Sequence, residues 1–147
     1  MPEVATSKVL EASADAVWRL LEDFGAIQHW WPTDISTPIE QVTVEGQGIG
    51  MIRHIRNRGA AHSVSERLDV IDPASRTLVL SIVGTLPRGI TAYVAEGHVI
   101  DLGEGQCRVD YRALVSTAPG AEEPVRLALL KTWALMLRGL EAAARRG

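Results

Sequence analysis

The chain has 147 residues, enough for one domain with one substantial core, and its 46% apolar and 22% charged residues exclude a disordered or fibrous protein. A net charge of −3 offers nothing to a polyanion, and the run Arg53, Arg56, Arg58 is short and lies on a strand and its turn, so no nucleic-acid partner is expected. Cys107 is the only cysteine, which removes a disulfide framework and a cysteine-based zinc set; neither His54 nor His62 has a second histidine at ligand spacing, so no metal or cofactor is expected.

A lone cysteine fits a reducing compartment. The opening MPEVATSKVL has neither the basic start nor the apolar run of a signal peptide, and no apolar stretch is long enough to span a bilayer. The expectation is a cytoplasmic monomer or homodimer without an integral membrane segment.

In chain order, residues 4–10 read as a first strand. Ser13 and Asp15 then open a short helix through Glu22, whose apolar side is Val17, Trp18, Leu20 and Leu21. Residues 24–31 form a second short helix stopped by Pro32. From Ile39 the apolar period changes from helical to alternating, and strands fit at about 39–45, 49–57, 62–71, 76–83, 90–101 and 106–116. Turn residues such as Glu45-Gly46, Asn57-Arg58-Gly59 and Asp72-Pro73-Ala74 join them, and joints this short imply an antiparallel meander.

The last helix spans about residues 121–146. Val125, Leu129, Trp133, Met136 and Leu140 recur at three- and four-residue spacing, so one face is built to be covered. Glu122 and Glu123 in the first turn and Arg145 and Arg146 in the last complement the helix dipole. Fully buried, those five apolar side chains are worth about 1.5–3 kcal/mol each, and only a large apolar partner surface supplies that. The order strand, two short helices, six strands, long helix is an α+β pattern: a curved antiparallel sheet of about seven strands wrapped around the final helix.

Strand alternation picks the concave face. Val64, Leu68 and Val70 share a parity with Glu66, and in the preceding strand Ile49, Met51 and Ile55 share theirs with Arg53. Hairpin pairing brings Arg53 and Glu66 onto one face, where leaving either charge alone costs several kcal/mol, roughly, so they are expected to pair or to contact water. The later strands add Leu78, Leu80 and Ile82; Tyr93, Ala95, Gly97 and Val99; then Cys107, Val109, Tyr111, Ala113 and Val115. The small residues Ala95, Gly97 and Ala113 either pack closely against the helix or leave space for a ligand.

The stretches ASADAVWRLLEDFGAIQHWWP, EGQGIGMIRHI and VSERLDVIDPASRTLVLSIVG, with the closing helix, resemble the helix-grip superfamily over the whole chain, 1–147, as one ligand-binding domain. That superfamily holds the START lipid-transfer domains, the birch-pollen allergen group, the plant abscisic-acid receptors and the bacterial polyketide cyclase/dehydrase-like proteins. The segment from ERLDVIDPASR to Tyr93 is similar to the abscisic-acid receptors, and the resemblance matches Arg53, Glu66 and Tyr93 to pocket residues, 57–62 to a gate turn and 85–90 to a latch turn. The receptors' acid-binding lysine falls at Trp31 and their polar helix position at Trp133, which argues against a hormone receptor.

Two functions follow from these residues. A carrier or sensor would grip a small lipophilic molecule, such as a lipid, polyketide or isoprenoid-like compound, between sheet and helix, with Arg53, Glu66, Leu80, Tyr93, Tyr111, Leu129 and Trp133 around it. A cyclase/dehydratase-type enzyme would use the same cavity, with Glu66 the best catalytic candidate, moving a proton next to a carbonyl while Arg53 stabilises the enolate. Against both stands a plainer account: a structural ion pair, tyrosines and Trp133 used for packing, a filled interior and an exposed apolar patch, as in an interaction module.

Overall fold

The computed structural model describes residues 2–147. Its elements are β1 (Glu3–Leu10), α1 (Ala14–Glu22), a 3₁₀ segment (Phe24–His29), β2 (Ile39–Glu45), β3 (Ile52–Asn57), β4 (Val64–Asp72), β5 (Thr77–Val83), β6 (Ile90–Gly103), β7 (Gln106–Thr117) and α2 (Glu122–Arg146). The strands form one antiparallel sheet in the order β1-β7-β6-β5-β4-β3-β2, with α2 across its concave face, which is the helix-grip arrangement. Every pairing after β2 is a hairpin between neighbours in sequence, as the short turns imply; β1 alone crosses over, to lie against β7.

Local chemistry sets the element ends. The Ser13 hydroxyl accepts the Ala16 N–H at 3.2 Å and starts α1, which buries Ala14, Val17 and Trp18. Helix α2 buries Val125, Trp133, Met136, Leu137, Gly139 and Leu140, while Leu129 on the same stripe stays half-exposed. At Gly139 the chain leaving the 3₁₀ segment presses so close that a Cβ would collide with the Trp30 carbonyl oxygen and the Pro32 ring. One residue earlier, Arg138 holds Asp34 through two bonds of 2.9 and 3.0 Å. The Trp30–Asp34 stretch is therefore clasped to the middle of α2.

Three expectations need correction. The second short helix is a 3₁₀ segment ending at His29, kinked where Ala26 leaves helical geometry. β3 starts at Ile52, because Gly46, Gly48 and Gly50 all take positive φ and form a turn; Ile49 in that turn is 65% exposed rather than inward. Val70 is also outward, at 42% exposure. An extra residue in β4 opposite β5, between Leu68 and Val70, reverses the alternation, so that Leu68 and Ile71 face the core instead.

Among the described residues no helix is long and apolar enough to cross a membrane.

Candidate functional site

The sheet and α2 do not meet along their whole length. Where they part, a cavity of about 670 Å³ opens between them. The interior is thus not filled as an interaction module would require. Arg53, Glu66, Leu80, Tyr93, Tyr111, Leu129 and Trp133, the seven residues singled out from the sequence, all border this space, on five strands and the helix.

Arg53 and Glu66 are direct cross-strand neighbours on β3 and β4. Both Nε and the NH2 nitrogen of Arg53 lie 2.8 Å from Glu66 Oε1. The NH1 nitrogen donates to the Phe24 carbonyl at 3.0 Å, and the guanidinium lies 3.9 Å above the Phe24 ring. At 8% exposure, Arg53 is a buried cation that offsets the carboxylate and ties the 3₁₀ segment to the sheet. No hydrogen bond from the described residues reaches Glu66 Oε2.

Tyr93 and Tyr111 come from β6 and β7 and sit beside this pair. Burial pushes the Tyr93 hydroxyl well up from its ordinary value, and the Glu66 charge adds to the rise; Tyr111 is raised too, first by burial and then by Tyr93 and Glu66. Both stay neutral, with the Tyr111 hydroxyl directed towards that of Tyr93 and the Trp133 indole beside Tyr93. The Tyr111 ring meets the Trp133 ring edge-on, centroids 5.0 Å apart at 68°. A Cβ on Gly97 would stand 3.2 Å from the Tyr111 ring, so this glycine makes room for a side chain rather than for a ligand. Ala95 and Ala113 are a packed cross-strand pair that does not border the cavity.

Strand alternation does not reach several bordering residues, although the resemblance places Trp31 at a pocket position. Leu21, Ile27, Trp30 and Trp31 form one wall from α1, the 3₁₀ segment and its exit, where no strand alternation exists to reveal an inward side. Trp30 keeps its place by packing, since its indole N–H has no acceptor among the described residues. On α2, Pro124, Ala128 and Thr132 each precede a residue of the apolar stripe and share its cavity edge. The turn at 85–90 reaches the rim through Pro87, Arg88, Gly89 and Ile90, whereas only Asn57 does so from 57–62. Gly89, at φ 85°, lies so near α2 that a Cβ would come within 3.1 Å of Val125 and 3.2 Å of Ala121. The former turn is thus seated on the start of the helix. Among the described residues no cluster of His, Cys, Asp and Glu has metal-site geometry.

Solved structures share this fold. A protein from Thermobifida fusca, determined in solution by NMR, is 25% identical with a TM-score of 0.82, covering 99% of this chain and 95% of that one. ZhuI aromatase/cyclase from Streptomyces sp. R1128 is 20% identical at a TM-score of 0.80, with 99% and 94% covered. Norcoclaurine synthase from Thalictrum flavum, in complex with dopamine and hydroxybenzaldehyde, is 18% identical at 0.79, with 99% and 87% covered. Likenesses this distant in sequence speak for the fold alone. No curated protein matches the chain. The family described as polyketide cyclase / dehydrase and lipid transport matches residues 1–146, and the chain belongs to it.

Proposed function

We propose that this chain is a one-domain, cytoplasmic carrier or sensor that binds a small lipophilic molecule between its sheet and α2. The observation that supports this most is the composition of the cavity wall: about 670 Å³ bounded mainly by aliphatic and aromatic side chains, with Glu66, Tyr93 and Tyr111 gathered at one place. Apolar walls supply affinity, and a few convergent polar groups set orientation. The test is denaturing organic extraction of freshly purified protein and mass spectrometry against a blank and an unrelated control. A lipophilic compound recovered near one equivalent is the expected result. An empty extract, together with no saturable uptake of the neutral probe N-phenyl-1-naphthylamine, would count against the proposal.

A second reading is favoured by one feature, the unpartnered Glu66 Oε2 beside two neutral tyrosine hydroxyls. A base and a linked pair of tyrosine hydroxyls suit a cyclase/dehydratase-type enzyme acting on a polyketide-like substrate, in which Glu66 takes a proton next to a carbonyl and a tyrosine donates to the oxygen. Glu66→Gln separates the readings. A carrier loses some affinity at most, whereas an enzyme relying on that carboxylate loses turnover by about 10²–10⁴-fold with its fold intact.

A further inference from the structure

Three charged side chains border the cavity, and they are not equivalent. Arg88 stands on the rim turn, exposed, and has no ion-pair partner among the described residues. Arg53 and Glu66 lie at the inner end, with the guanidinium held to Oε1 and to the Phe24 carbonyl. Charge at that end is therefore balanced before any ligand arrives. What it offers a newcomer is one carboxylate acceptor, Oε2, and the linked hydroxyls of Tyr93 and Tyr111.

We infer that the inner end of this cavity selects an uncharged, hydroxyl-bearing head group and rejects both a carboxylate and an ammonium. The inference rests on the ligand-binding reading above. A hydroxyl both donates and accepts, so it serves Glu66 Oε2 and a tyrosine at once. A carboxylate donates nothing and would face Glu66 in a desolvated site whose one nearby cation is already shared. An ammonium would meet the opposite problem, competing with Arg53 for Glu66 and leaving a surplus positive charge at the inner end.

Three fluorescent probes with one ring system test this: 1-pyrenemethanol, 1-pyrenecarboxylate and 1-pyrenemethylammonium, titrated at neutral pH into the wild-type protein and Glu66→Gln. The wild type is expected to bind the alcohol at least about tenfold more tightly than either ion. In Glu66→Gln, Arg53 loses its counter-charge, so the order should reverse and the carboxylate become the tightest of the three. The wild-type ranking is a test in itself whether or not the variant folds. A carboxylate that binds the wild type as tightly as the alcohol, with no change in Glu66→Gln, would assign the anion to Arg88 and overturn the inference while leaving the cavity reading in place. An ammonium that binds best overturns it too. No saturable binding by any of the three sinks the cavity reading, and the inference with it.

Discussion

The two ends of the sheet–helix sandwich use the same elements for different purposes. At one end Leu10, Val17, Val99, Cys107, Val109 and Leu140 are almost fully buried, where β1, α1, the hairpin side of β6 and β7 and the later part of α2 pack together. At the other end the same β6 presents Tyr93 and the same α2 presents Leu129, and both border open space. The difference lies in what covers the helix. The late half of α2 meets α1 and the clasp at Gly139 and Arg138, whereas its early half meets the rim turn at Gly89 and, through Trp133, the Tyr111 ring. Stability is concentrated where the layers touch, and the other end is left unfilled.

The largest test of this contrast is Leu140→Ala, which removes a side chain of 0% exposure and should cost about 2–5 kcal/mol in a urea unfolding series. A loss below that range would show the closed end to be as loose as the open one.

Next in size is an alkaline limit set by Tyr93 and Tyr111, the two tyrosines of the chain. Burial first, then neighbouring negative charge, raises both in the folded protein, while in the unfolded chain they ionise near pH 10, roughly. Their contribution to stability is therefore complete below that unfolded value and is lost as pH rises above it, by up to about 1.4 kcal/mol per pH unit for each tyrosine. Tyrosinate absorbance should appear only together with unfolding. Tyrosinate formed in the native state would mean that the open end is wet, and the contrast would be one of hydration rather than of packing.

The smallest expected effect belongs to Leu129→Ala. This half-exposed side chain faces the cavity, so its loss should cost less than about 1 kcal/mol while weakening uptake of a lipophilic probe. A penalty matching that of Leu140→Ala would erase the distinction between the two ends.

Much of this was legible in the sequence, for identifiable reasons. Alternation in β6 and β7 is unbroken from Tyr93 to Val99 and from Cys107 to Val115, so their inward lists carry over directly to the fold. The tight pairing of β3 with β4 set Arg53 opposite Glu66. Parity failed where the backbone departs from a regular strand: at Val70, beyond the bulge, and at Ile49, inside a glycine-driven turn. The wall made by Ile27, Trp30 and Trp31 carries no period at all, since a kinked 3₁₀ segment and its exit present side chains by tertiary contact alone. Gly97 showed the limit of composition as a guide, because a small residue marks either empty space or a large neighbour, and here the neighbour is Tyr111.

The placing of the indoles has a spectroscopic consequence. Of the four tryptophans, Trp30, Trp31 and Trp133 border the cavity, while Trp18 is packed in the closed end on α1. Indole emission follows the polarity and quenching of its surroundings, so filling or emptying this one space changes the light from three emitters and leaves the fourth as an internal reference. The protein carries its own unlabelled gauge of occupancy.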